Sequence, residues 1–196
     1  MKMVYLIRHA ESTANIGRKT ATPESIELTE EGKQQARQLV DTISDQPDLI
    51  VTSPFIRTLR TAEPLLVKFP NSRHEQWLIQ EFTYLSPIRC NNTTMEDRVP
   101  VAMEYWERND PYYCDGDGAE SFNNFIGRVI NFKETLKERS EKYIIAFSHY
   151  QFIAAFSWIN GNNRNLNTPE AMAEFRQRLF SHKLENTDIL KQVIKA

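Results

Sequence analysis

In Lys2-Met3-Val4-Tyr5-Leu6-Ile7-Arg8-His9 a β-rich apolar run breaks off at a guanidinium and an imidazole. The loose alternation over residues 2–8 predicts a buried strand. Tyr143 to Ser148 (YIIAFS), followed by His149, predicts another of the same kind. Asp48 to Ser53 (DLIVTS) is a short apolar run between turn signals and predicts a strand between these two. Residues 74–79 and 187–194 supply two more. Helical periodicity fills the intervals. Thr29 can cap a helix on which Ala36, Leu39, Val40 and Ile43 recur at the spacing of one face. Ser53-Pro54, a hydroxyl and then proline, predicts a helix start, with Leu59, Ala62, Leu66 and Phe69 on its inner face. Phe122, Phe125, Ile126, Val129, Phe132 and Leu136 mark a long helix, and further helices are expected at 150–160 and 168–181. Glu11 and Ser12 are expected to begin a helix directly after His9. Strands alternate with helices and are apolar on both faces. This predicts an α/β fold, a three-layer α/β/α sandwich around a mostly parallel sheet.

The whole chain, 1–196, reads as a single domain, since no Gly- or Ser-rich linker and no repeat divides it. Residues 82–117 are polar, aromatic-rich and interrupted by Pro87, Pro100 and Pro111. They predict a long insertion with a helix around 96–108, serving as a lid or binding loop. Within it Tyr105-Trp106 and Tyr112-Tyr113 suit either lid packing or a substrate platform. The formal net charge is -2, without the strongly basic face that nucleic acid requires. No run of apolar residues is long enough to cross a membrane. The N-terminal run is too soon interrupted by Arg8 and His9 to act as a signal peptide. Cys90 and Cys114 lack metal spacing. A cytoplasmic location is the expectation.

The polar residues gather at strand ends. Arg8-His9 ends the first strand, Ser53 and Arg57 follow the second, Glu81 follows the third, and Ser148-His149 ends the fourth. Ligands of open parallel sheets bind beyond the carboxyl ends of the strands. Two imidazoles, two guanidiniums and a carboxyl could therefore meet at one edge. Such a set suits a phosphate, whose oxygens match the arginine fork, and helix N-termini add N–H donors. A neutral histidine is a competent nucleophile toward phosphorus. A carboxylic acid kept protonated by a neighbouring dianion can protonate the leaving oxygen. With two arginines and a second imidazole to neutralise charge, no metal and no cofactor are required.

These residues carry a family resemblance. Leu6-Ile7-Arg8-His9-Ala10-Glu11-Ser12 with Asn15 resembles the signature of the histidine phosphatase superfamily, the phosphoglycerate mutase-like family, with Ala10 where glycine is usual. Ser53-Pro54-Phe55-Ile56-Arg57, then Thr61-Ala62, resembles its second motif, and Ser148-His149 its late one. Glu120-Ser121-Phe122 resembles a Gly-Glu-Ser stretch before the late helix. Asn186-Thr187-Asp188 resembles the start of the final strand. The ordered set spans nearly the whole chain. It implies a phosphoglycerate mutase-like fold and a histidine acid phosphatase-type phosphomonoesterase. His9 would be the phosphoryl acceptor. Arg8, Arg57 and His149 would bind the phosphoryl group, and Asn15 would donate to one of its oxygens. Glu81 would be the proton donor and then the base that activates water, with Glu75 and Glu120 as substitutes for that role. Tyr150 stands where a small residue is common, which would narrow the pocket.

Other readings compete with this one. A mutase would share the same residues but needs basic groups around a bisphosphate. Residues 82–117 offer Arg89, Arg98 and Arg108 against seven carboxylates (Glu96, Asp97, Glu104, Glu107, Asp110, Asp115, Asp117), which favours the phosphatase. A non-catalytic phosphate-binding module would require loss of the nucleophile or acid. A Ser-His hydrolase is disfavoured because Ser148 and His149 are neighbours and no Gly-x-Ser-x-Gly elbow is present. A metal pair at His9 and Glu11 is disfavoured by their spacing. His74, His182 and Arg60 are expected to have no role in the site. The expected partner is a small phosphomonoester or a phosphoprotein. The oligomeric state is left open, a homodimer included.

Overall fold

The computed structural model describes residues 1–161, 165–181 and 183–194; His182 lies outside them. The sheet contains β1 (Lys2–Arg8), β2 (Leu49–Thr52), β3 (Arg73–Gln76), β4 (Tyr143–Ser148) and β5 (Ile189–Ile194), in the order β3-β2-β4-β1-β5. All pairings are parallel except β1 with β5. The helices are α1 (Glu30–Leu39), α2 (Ile56–Lys68), α3 (Pro87–Cys90), α4 (Met95–Arg108), α5 (Phe122–Glu138), α6 (Tyr150–Ile159) and α7 (Pro169–Ser181).

The period of two along each inner strand divides the core into two layers. Val4 and Leu6, Leu49 and Val51, and Ile144 and Ala146 face α5, α6 and α7, against Phe125, Phe152, Phe156 and Phe175. Ile7, Ile50, Ile145 and Phe147 face the other way, against Leu39 and Ile43 beside α1 and Ala62 and Leu65 of α2. The result is a three-layer α/β/α sandwich. The outer strands depart from the expected apolar pattern. β3 is the polar run Arg73–Gln76, mostly exposed, and β5 is only half-buried. Both lie at sheet edges, where one flank needs no apolar cover.

Two expected helix starts are corrected. α2 begins at Ile56, not at Pro54, with Phe55 as its N-cap, because Ser53 turns its hydroxyl inward instead of capping. No helix follows His9. The amide and hydroxyl of Ser12 both donate to Asn15 Oδ1, at 2.9 and 2.8 Å, so a local side-chain turn wins over helix formation there. The first helix waits until Thr29, whose Oγ1 accepts from Gly32 N at 2.9 Å and donates to Glu11 Oε1 at 2.6 Å. That cap pins the loop after His9 to α1. Gly32 is required at the contact, since a Cβ there would stand 2.0 Å from the Glu11 carbonyl oxygen. Gly32→Ala is expected to cost about 2–3 kcal/mol through this backbone overlap, read as a lower urea midpoint at unchanged slope. An unaltered midpoint would mean that the loop yields freely.

The segment 82–117 holds two helices, α3 and α4, the second near the expected 96–108. Thr94 and Asp97 form a capping box at its start. Phe82 stacks on Phe125 at 4.4 Å, and Tyr105 and Trp106 are buried in the same cluster. Tyr105 and Trp106 therefore serve packing. Tyr112 is exposed, and Tyr113 lies under the Arg108 guanidinium at 3.9 Å.

Candidate active site

Parallel register sets the site. Arg8 lies opposite Ser148 and Thr52 opposite Phe147, so β1, β2 and β4 end level and their next residues share one edge. The ends are tied across the strands: His9 N donates to Ser148 O at 3.0 Å and Ser53 N to Phe147 O at 3.3 Å. Ser148 Oγ donates to Ile79 O at 2.6 Å, which holds the segment leading to Glu81 against the same edge.

His9 and His149 are both buried, with ring centres 5.1 Å apart. His9 Nδ1 meets the Ala10 carbonyl at 2.8 Å. A carbonyl can only accept, so Nδ1 carries the proton and Nε2 keeps the lone pair. Arg57 Nε donates to that Nε2 at 3.1 Å, its Nη2 reaches His149 Nδ1 at 3.0 Å, and its Nη1 donates to Pro23 O at 2.6 Å. One guanidinium thus spans both imidazoles. Burial, and then the Arg57 charge, hold both histidines well below the usual imidazole pKa of 6.5, so both are neutral at neutral pH. Burial also pushes the Arg57 pKa down to about 10, which leaves it charged.

Arg8 is held on two sides. Its Nη1 donates to Leu184 O at 2.5 Å, its guanidinium lies 5.6 Å from the centre of the Tyr150 ring, and Tyr150 in turn donates its hydroxyl to Leu179 O. Arg8 Nε is buried without a hydrogen-bond partner among the described residues, a costly state for a donor that a ligand oxygen would relieve. Glu81 Oε1 accepts from its own neighbour Phe82 N at 3.2 Å and from Gln151 N, at the start of α6, at 3.0 Å. Burial raises its pKa above the usual carboxylate value, against the pull of Arg57 and Arg8. The arrangement offers a neutral imidazole nitrogen with a lone pair, a carboxyl whose pKa burial raises, and guanidinium donors beside them.

The structure brings together Arg8, His9, Arg57, Glu81 and His149. Asn15 is exposed, its Oδ1 engaged by Ser12, and among the described residues no hydrogen bond joins it to the other five. Glu75 and Glu120 are committed elsewhere. Glu75 pairs with Arg73 and Arg139 on β3's flank, and Glu120 pairs with Arg128. His74 bonds Thr52 Oγ1 at 3.0 Å, and Arg60 pairs with Glu63 on the surface. Ala10 is fully buried against Leu28 and Ala36, so its methyl group is accommodated. Three residues support the site in ways the sequence did not reveal. Thr61 Oγ1 accepts from Ala10 N at 3.0 Å and donates to Arg57 O at 2.6 Å, and Asn186 Nδ2 donates to His9 O at 2.8 Å. Both stand in quoted motifs, which was the available signal. The Pro23 carbonyl gave none, since main-chain acceptors leave no mark on residue type. Among the described residues, no group of His, Cys, Asp and Glu is placed to hold a metal ion, and no helix is long and apolar enough to cross a membrane.

The fold is that of the phosphoglycerate mutase-like α/β proteins. A model of the histidine phosphatase superfamily (branch 1) matches residues 4–178, and the chain belongs to that superfamily. Among solved structures it is similar to a phosphoserine phosphatase from Entamoeba histolytica in complex with 3-phosphoglyceric acid. The TM-score is 0.70 and the identity 20%, over 97% of this chain and 90% of that one. It is likewise similar to a mycobacterial glucosyl-3-phosphoglycerate phosphatase complexed with VO3, at TM-score 0.71 and 21% identity, over 97% and 92%. At these identities the likeness is one of fold. No curated protein matches the sequence.

Proposed function

We propose that this protein hydrolyses phosphomonoesters through a phosphohistidine on His9, without a metal. The observation that carries the reading is the tautomer of His9. Its proton is on Nδ1, held by the Ala10 carbonyl, and its lone pair is on Nε2, facing the Arg57 guanidinium and the second imidazole. Phosphoryl oxygens would replace the two imidazoles as acceptors for Arg57 and take the unused Nε donor of Arg8, uncovering the lone pair. Nε2 then attacks phosphorus, the ester P–O bond breaks, and Glu81 gives its proton to the leaving oxygen. Glu81, now a carboxylate, takes a proton from water. The resulting hydroxide attacks phosphorus, the P–N bond breaks, and His9 returns to its neutral form. The phosphorylated ring keeps its Nδ1 proton against Ala10 O, which stabilises the positive ring. Asn15 is assigned a supporting role, its amide –NH2 donating to a phosphoryl oxygen. Segment 82–117 is assigned the role of lid over the site. The substrate is a small phosphomonoester or a phosphoprotein side chain, and the names of the two structural relatives favour the former.

The test is hydrolysis of para-nitrophenyl phosphate in chelating buffer, with acid-quenched intact-mass detection of a phosphoenzyme. Activity that needs added metal, or turnover with no phosphoryl adduct under any quench, would sink the mechanism.

The acid role of Glu81 gives a sharper expectation. Glu81→Gln should lower kcat/KM for alkyl phosphates by roughly 10²-fold or more, the usual weight of a general acid. The loss for the nitrophenyl ester, which leaves without help, should be less than about tenfold. The pH signs follow from the two shifts. His9 must be neutral, and its pKa lies well below 6.5, so activity is lost only as pH falls through that depressed value. Glu81 must be protonated, and its pKa is raised, so kcat/KM for alkyl esters falls as pH climbs through it. The glutamine variant should lose this alkaline limb. Equal losses on both ester types would move the acid role to another group.

A further inference from the structure

The hydrogen bonds behind His149 form a closed proton inventory. Ser53, Thr58 and His149 are fully buried, and each hydroxyl has one proton and two acceptor sites. Thr58 Oγ1 donates its proton to main-chain carbonyls, Phe55 O at 2.8 Å and Ser53 O at 3.2 Å. In the 2.9 Å contact between the two hydroxyls, Ser53 must therefore be the donor. With its proton spent, Ser53 Oγ can only accept. It accepts from Phe55 N at 3.2 Å, so in its 2.7 Å contact with His149 Nε2 the imidazole must donate. A second, independent count gives the same answer from the other side of the ring. Arg57 Nη2, which has no lone pair to offer, lies 3.0 Å from His149 Nδ1, so Nδ1 must accept. Every proton has a place in only one arrangement.

We propose that Thr58 and Ser53 are positioning residues that lock His149 in the Nε2–H tautomer and so present its Nδ1 to the ligand space. The relay runs from His149 Nε2–H to Ser53, from Ser53 to Thr58, and from Thr58 to the Phe55 carbonyl. It explains why Ser53 does not cap α2: its hydroxyl is committed to the imidazole. The charged groups around the ring are Arg57 from α2, Arg8 at the end of β1 and Arg128 from α5, with the His9 imidazole beside it. All three charges are cations and disfavour a second proton, so the tautomer is defined for a neutral ring. Nδ1 so presented is an acceptor and can take a hydrogen bond from a protonated phosphoryl oxygen; that use rests on the phosphatase reading, and the tautomer does not.

The experiment is ¹⁵N-imidazole correlation spectroscopy of the full chain at neutral pH, free of phosphate, with His149 assigned by comparison with His149→Asn. The wild type should show one neutral His149 species, protonated at Nε2. Thr58→Val keeps the side-chain shape but removes the acceptor for the Ser53 proton. It should yield a mixture of the Nδ1–H and Nε2–H tautomers. Thr58→Ser restores the hydroxyl and should restore the single Nε2–H species. A wild-type ring protonated at Nδ1, or doubly protonated, would overturn the proposal even if no variant folds. So would a single Nε2–H species in Thr58→Val. If the tautomer is as stated but the wild type binds no phosphate, the relay stands and the phosphatase reading falls.

Discussion

His9→Ala is expected to lower phosphatase turnover by roughly 10⁴-fold or more, the scale on which removal of a covalent nucleophile acts, while the fold survives. The two halves of that expectation have separate causes. The chemistry is lost because no other neutral nitrogen can take over. His149 commits Nε2 to Ser53 and is held with Nδ1 against Arg57, and it sits on a different strand. The fold survives because position 9 is anchored through its main chain, His9 N to Ser148 O and His9 O to Asn186 Nδ2, bonds that alanine retains. Loss of activity together with near-identical far-ultraviolet circular dichroism and a cooperative melt would support the assignment. Turnover within tenfold of wild type, or a covalent phosphoenzyme still formed by the variant, would place the nucleophile elsewhere.

Arg57→Lys should be nearly as damaging as Arg57→Ala, each lowering kcat/KM by roughly 10²–10³-fold, the range for removing one preorganised stabiliser of transition-state charge. Charge alone would predict that lysine rescues. Geometry predicts that it does not, because Arg57 uses three nitrogens on three separate acceptors, His9 Nε2, His149 Nδ1 and Pro23 O. An ammonium on a flexible stem cannot reproduce a planar fork. Inorganic phosphate inhibition gives a parallel readout and should weaken in both variants. A lysine variant with near wild-type kcat/KM would show that this position supplies only charge.

How much of this was legible beforehand can be judged residue by residue. The inner strands were readable because β2, nearly all of β4 and the second half of β1 are buried on both faces, and continuous apolar runs mark such strands. Edge strand β3 was misread in extent and character, because a strand with one open flank carries no such signature. The helix expected at Glu11-Ser12 failed because a local bond, Ser12 to Asn15, decided the backbone. Ser53-Pro54 looked like a helix start because hydroxyl followed by proline has that meaning locally. Its hydroxyl instead serves an imidazole 96 positions away along the chain.

The sequence by itself determined the alternation of strands and helices and the membership of Arg8, His9, Arg57 and His149 in one ordered motif set. These are properties of residue type and spacing, which local sterics and hydrophobic periodicity translate directly into structure. Only the tertiary structure decided where the protons sit. The tautomers of His9 and His149, the span of Arg57 across both rings and the raised pKa of Glu81 depend on burial and on partners such as Ala10 O, Pro23 O and Thr58 Oγ1. Such partners are chosen by packing between distant segments, and the main-chain acceptors among them have no residue identity to read.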